Sequence, residues 1–172
     1  GTAVITNNVA PVINSVTTLG CNTAALKVVF SKDIRCSSVT LSGSEFSITP
    51  GAPAITGVTS TCSSPQGTIT ELTIQLQNPL AAGNYNLIVN PGIEDGDTFK
   101  DVCGVDMATG FTIPFTVVAV PPVSVTGVTF TGCAPTVLDV TLSKPVWCTS
   151  ITQPNFSEFS ILPGNPAITS IQ

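Results

Sequence analysis

Apolar residues along this chain alternate with polar ones in short runs, and each run stops at a cluster of Gly, Pro, Asn or Ser. Glu71 to Gln77 puts Leu72, Ile74 and Leu76 on one face. Asn84 to Val89 does the same with Tyr85, Leu87 and Val89, and Glu45 to Thr49 with Phe46 and Ile48. Alternation with period two marks half-buried strands. Val12 to Thr17, Ala54 to Thr61 and Phe111 to Val118 read the same way. Ala25 to Phe30 is an apolar run, interrupted only by Lys27 and ending in a polar break, that suits a central, buried strand. Turn residues fill the gaps at Thr49–Pro53, Ser63–Gly67 and Asn78–Gly83, and a long polar loop spans Asn90 to Gly110. No window keeps helical apolar spacing; Cys36–Val39 leaves room for one helical turn. Seven strands in about 110 residues predict an all-β, immunoglobulin-like sandwich with negligible helix.

The pattern then starts again. Cys21 and Cys36 bracket fourteen residues, and so do Cys133 and Cys148. Leu26-Lys27-Val28-Val29-Phe30-Ser31-Lys32 returns as Leu138-Asp139-Val140-Thr141-Leu142-Ser143-Lys144, an offset of 112. Ser44-Glu45-Phe46-Ser47-Ile48 returns as Ser157-Glu158-Phe159-Ser160-Ile161, and Pro53–Thr56 as Pro166–Thr169, an offset of 113. Repetition at domain length predicts tandem sandwiches, each with its own core. The expected organisation is residues 1–10 as linker or last strand of a preceding repeat, and 11–119 as a complete repeat. Residues 120–123 form a Pro-Pro joint, stiff and extended, and 123–172 the first half of a second repeat. A chain opening at Gly1-Thr2 with no signal peptide and stopping inside a repeat reads as a piece of a longer precursor.

Composition narrows the setting. Charged residues are 9% of the chain, the net charge is −5, and there are five Lys and Arg and no His. Nucleic acid needs a basic stripe that this chain cannot supply, and no apolar run approaches the ~20 residues of a membrane span. Six cysteines without a CxxC pair or a histidine speak against zinc and for disulfides in an oxidising compartment. Four cysteines in the first repeat allow three connectivities. The recurrence of the first pair favours Cys21–Cys36 with Cys62–Cys103, and Cys133–Cys148 in the second repeat. A straight strand would hold Cys21 and Cys36 ~20 Å apart, so this pairing requires the chain to turn back at Ser31–Arg35.

At Phe30-Ser31-Lys32, Asn78-Pro79-Leu80, Gly83-Asn84-Tyr85 and Asp101-Val102-Cys103-Gly104 the chain resembles bacterial Ig-like repeats of the S-layer (SbsA-like) type. Its cysteines resemble those of repeats in large Bacteroidota surface proteins, including gliding-motility adhesins exported by the type IX secretion system. The resemblance covers residues 11–118 and, as a half copy, 123–172. Val105 stands where that family has Asn. The resemblance implies a structural or adhesive repeat outside the cell, a stalk or adhesin. Its partners would be neighbouring repeats, secretion or attachment machinery, and an unidentified surface or glycan ligand. The rival is an accessory or ligand-binding sandwich of a secreted multidomain enzyme.

Candidate chemistry is sparse. Without histidine no Ser-His or Cys-His pair exists, and nothing local unites Asp33 with Glu45 or Glu71 with Asp101 as a carboxylate pair; the chain reads as non-catalytic, with no cofactor. Glu94, Asp95, Asp97 and Asp101, with Asp106, form the one crowd of oxygen ligands suited to Ca²⁺, without EF-hand spacing. The plainer reading, preferred here, is a solvated turn whose Asp side chains cap backbone N–H groups. Trp147, where the first repeat has Arg35, would pack over a neighbouring disulfide or serve as a contact residue. Asn155-Phe156-Ser157 spells a sequon with no consequence expected in a bacterial protein.

Overall fold

The computed structural model describes residues 9–20, 23–133, 135–147, 150, 158–164 and 166–170, and divides into two compact units, Gly1–Val120 and Pro121–Gln172. The described residues of the first unit form seven strands: β1 (Ile13–Thr18), β2 (Ala25–Arg35), β3 (Phe46–Thr49), β4 (Ile55–Thr59), β5 (Thr68–Leu76), β6 (Gly83–Val89) and β7 (Thr112–Val117). All strand pairings are antiparallel, in a four-stranded sheet of order β1-β2-β5-β4 and a three-stranded sheet of order β3-β6-β7. A 3-10 turn at Cys36–Ser38 follows β2, and no α-helix occurs among the described residues. The described residues are thus all-β, and the first unit is a sandwich of two sheets.

The expected strands lie within a few residues of the observed ones, because alternation is a local property. Leu26, Val28, Phe30, Leu72, Ile74 and Leu76 of the larger sheet meet Phe46, Ile48, Leu87, Val89, Phe115 and Val117 of the smaller in one buried core. Removing that apolar surface from water is the main force holding the unit together.

β2 departs from expectation. It runs on for eleven residues, to Arg35, with an irregularity in its pairing to β5 between Val29 and Ile34. The chain therefore does not fold back at Ser31–Arg35. Cys36 arrives at the far end of β2 and bonds to Cys62, which follows β4 (Cα–Cα 5.5 Å). The pairings Cys21–Cys36 and Cys62–Cys103 are thereby both replaced. The physical reason is the length of β2, whose eleven residues carry Cys36 to the end of the sheet where the chain leaves β4 for β5. Cys103 is an exposed thiol. Cys133 is also an exposed thiol, and Cys21 and Cys148 lie outside the described residues.

The second unit contains β8 (Val125–Thr129) and β9 (Asp139–Leu142), paired antiparallel. This hairpin repeats β1–β2 pair by pair. Ile13↔Phe30, Ser15↔Val29, Val16↔Val28 and Thr17↔Lys27 become Val125↔Leu142, Gly127↔Thr141, Val128↔Val140 and Thr129↔Asp139, with the irregularity at the same step. Beyond the paired residues, Ser31 N donates to Val12 O (2.9 Å) and Ser143 N to Ser124 O (2.8 Å). Val12 N donates to Ser31 Oγ and Ser124 N to Ser143 Oγ, each at 3.0 Å. The Lys32 ammonium donates to Val9 O, and Lys144 to Pro121 O, again 112 residues on. The proposed preceding strand at residues 1–8 lies outside the described residues.

Candidate functional site

The segment from Asn90 to Gly110, polar in sequence, folds against the sandwich and closes one end of it. Phe99 is fully buried, its ring centroid 5.2 Å from that of Phe30 and 5.0 Å from that of Phe46. Met107 is buried beside it: its N–H donates to Phe99 O (2.8 Å), and Thr98 Oγ1 donates to Met107 O (2.6 Å). The segment is also stitched to the end of β2. Arg35 N donates to Lys100 O (2.8 Å), Lys100 N to Ser38 Oγ (2.9 Å), and Ser38 Oγ to Arg35 O (3.0 Å). Ile34 and Asp101 form an antiparallel bridge. The signal for this packing was present as Phe99 and Met107, two large apolar residues inside a stretch otherwise legible as solvated loop.

Asp101 is the centre of the arrangement. Its residue is 1% exposed. Oδ1 accepts the N–H groups of Cys103 and Val105, both at 2.9 Å, and Oδ2 lies 3.2 Å from Lys32 Nζ. Gly104 N donates back to Asp101 O (2.9 Å), and Asp101 N to Val105 O (3.0 Å). This closed turn needs Gly104 at φ 81°, a left-handed conformation that side chains disfavour. The Val105 N–H, then Lys32 and the Cys103 N–H, hold the Asp101 carboxyl below its ordinary pKa, against the opposing effect of burial.

The other acidic residues proposed for Ca²⁺ go separate ways. Glu94 accepts the Ser44 hydroxyl; hydrogen bonds from Ser42 and Ser44 lower its pKa. Asp95 Oδ1 accepts the Asp97 N–H at 3.4 Å. Asp97 Oδ2 takes the Lys100 ammonium, which raises the Lys100 pKa; its Oδ1 is buried without a protein partner. Asp106 lies 3.8 Å from Lys100. Among the described residues no three acidic, His or Cys side chains gather as a metal site would require. The solvated-turn expectation needs correcting at Asp101, which caps backbone N–H groups from a buried position.

The carboxylate pairs considered above are likewise kept apart by their partners. Glu71 is ion-paired with Lys27 across β5 and β2 (2.7 Å), while Asp101 belongs to Lys32. Asp33 is exposed. Glu45 is fully buried, with its oxygens on the backbone N–H (2.7 Å) and the hydroxyl of Thr40. Sequence reading gave Glu45 no structural role, though its return as Glu158 in the repeated Ser-Glu-Phe-Ser-Ile motif hinted at one. Trp147 is 84% exposed, and its neighbour Cys148, over whose disulfide it was expected to pack, lies outside the described residues. Asn155 lies outside the described residues. Nothing in this geometry pairs a nucleophile with a base; the arrangement braces a loop.

No protein family and no curated protein matches the chain. Among solved structures, the N-terminal part of the bacterial S-layer protein SbsC is similar at 22% identity and TM-score 0.49, over 68% of this chain and 26% of that one. The S-layer protein rSbsC(31-844) is similar at 21% identity and TM-score 0.48, over 69% of this chain and 15% of that one. A structure of domains 1-6 of surface layer protein SbsC gives 21% and 0.47 over the same shares. The chain thus spans about a quarter of the first of these and less of the others. A likeness at this level carries no functional argument.

Proposed function

We propose that this chain is a stretch of non-catalytic structural repeats from a secreted bacterial cell-surface protein. The observation that supports this best is the repetition of one hairpin in two units, with its register, its irregular step, its serine contacts and its lysine hook. A binding or catalytic role constrains a few site residues; a string of spacers constrains the scaffold itself, and it is the scaffold that recurs here. Low charge and a disulfide fit a protein exposed to an oxidising medium. An adhesin of the gliding-motility type, exported by type IX secretion, is the finer reading and rests only on the cysteine-bearing motifs Cys36-Ser37-Ser38, Glu45-Phe46-Ser47-Ile48 and Asp101-Val102-Cys103-Gly104.

A ligand-binding module would need an exposed aromatic platform. In the first unit the single Tyr85 is half-buried and stacks on Phe115, centroids 5.6 Å apart, which favours the spacer reading for that unit. Labelling intact cells of the source bacterium with antibody raised against residues 9–120 tests the location. Labelling at the surface before any permeabilisation is expected, and labelling only after permeabilisation would sink the proposal.

A further inference from the structure

The first unit is entered and left at opposite ends. β1 and β2 are antiparallel, with Ile13 opposite Phe30. The Phe30 ring meets that of Phe99, and Phe99 meets Phe46, which lies opposite Val89 at the close of β6. β7 starts beside that point, with Thr112 opposite Ile88, and finishes at Val117 opposite Gly83. β1 and β7 therefore run in the same direction, next to each other, and Val9 and Val120 lie at opposite ends of the sandwich. A pull on the chain acts along both terminal strands. Ladder hydrogen bonds stand perpendicular to antiparallel strands, so such a pull shears a whole ladder at once and cannot open it bond by bond.

The entrance carries three further bonds. Val9 O accepts the Lys32 ammonium, Val12 O accepts the Ser31 N–H (2.9 Å), and Val12 N–H donates to Ser31 Oγ (3.0 Å). Lys32 is itself tied to the buried Asp101, so the clamp reaches past β1 to β2 and to the end-closing loop. The same three bonds recur in the second unit, from Lys144 and Ser143 to Pro121 and Ser124. The side-chain bonds lie in exposed surroundings, where a hydrogen bond exchanged for water adds little to equilibrium stability. Their place is the point that a pull on the entering chain loads first.

We propose that the sandwich bears tension along the chain, and that the Ser-Lys pair is the clamp through which load enters: Ser31 with Lys32 in the first unit, Ser143 with Lys144 in the second. The proposal deepens the spacer reading and rests on it. A unit that fails the test below remains a spacer, and surface labelling decides the location separately.

The test is single-molecule force spectroscopy on the whole 172-residue chain, with handles at residues 9 and 120 in one sample and at residues 19 and 120 in another. Leu19 follows β1 at the exit end, so the second geometry leaves the clamp unloaded and peels the strands apart. Unfolding of the first unit is recognised by an extension that grows when Cys36–Cys62 is reduced, by about 3.5 Å per residue over a separation of 26. The rupture force should be about twofold or more higher between 9 and 120 than between 19 and 120. Ser31→Ala and Lys32→Met should each speed unfolding under constant load between 9 and 120 by about tenfold, with no matching change between 19 and 120. Lys32→Met also strips the buried Asp101 of its cation; Ser31→Ala spares that pair and carries the test if the lysine variant does not fold. Equal rupture forces in the two geometries overturn the proposal. So does a Ser31→Ala effect that is the same in both geometries, which would make the clamp an ordinary contribution to stability, or one that is absent from both.

Discussion

Lys32 reaches Asp101 across 69 residues of sequence, Nζ to Oδ2 3.2 Å, and the same ammonium hydrogen-bonds the main-chain oxygen of Val9. One side chain thus ties the end-closing loop and the segment leading into β1 to the end of β2. Because Asp101 is buried, this pair is held in place by backbone donors as much as by charge.

The acid limb of stability should report on Asp101. Its folded pKa is lowered, so the folded state favours the ionised form. The stabilisation is fully present above the ordinary Asp value of 3.8 and is lost as pH falls from there through the lower folded value. Melting temperature measured against pH should drop through that window. Asp101→Asn should lower the neutral-pH melting temperature and flatten the acid limb; an acid limb identical to the parent's would refute the assignment.

Phe99 is the loop's anchor in the core. Phe99→Ala should cost about 3–5 kcal/mol, the range for emptying a buried aromatic site, read as a lower urea midpoint. Amides near Lys100 and Met107 should then exchange faster than those of β5. A loss confined to a few tenths of that range would mean that the loop lies on the sandwich without supporting it.

The Cys36–Cys62 bridge, with a sequence separation of 26, should contribute about 3–3.5 kcal/mol by restricting the unfolded chain. Denaturation of residues 9–120 with and without reductant measures it. Peptide mapping without reduction should recover Cys36 joined to Cys62; recovery of Cys36 joined to Cys21 or Cys103 would contradict the structure.

Gly104→Ala places a side chain at φ 81° in open space, so only backbone strain is added. A loss of about 1 kcal/mol is expected, with the Asp101 turn retained. Gly43→Ala would be worse, since a Cβ there meets Ile55 Cγ2 at 2.9 Å at a φ of 73°. Equal stabilities for the two variants would show that the contact at Gly43 relaxes freely.

Lys144 holds the Pro121 carbonyl as Lys32 holds that of Val9. Lys144→Met should speed amide exchange at Val123 and Ser124 while β8 and β9 keep their register. Unchanged exchange there would show that the two prolines alone fix the segment.

The sequence by itself determined the strands and the tandem repeat. Alternation at Leu72, Ile74 and Leu76 or at Phe46 and Ile48 depends only on neighbours in the chain, and pleating turns it directly into an inner and an outer face. The copied motif around Ser31 and Ser143 likewise carried its hairpin register with it. Tertiary structure decided what depends on which ends meet. Equal spacing made Cys21 and Cys36 look like partners, but an unbroken β2 carries Cys36 to the end of the sheet where Cys62 waits. The acidic residues of the long loop looked like one cluster because they are near in sequence. Folding over Phe99 separates them, leaving Glu94 with Ser44, Asp97 with Lys100 and Asp101 with Lys32. A side chain's partner is set by the path of the backbone through space, and that path is fixed by burial summed over the whole core.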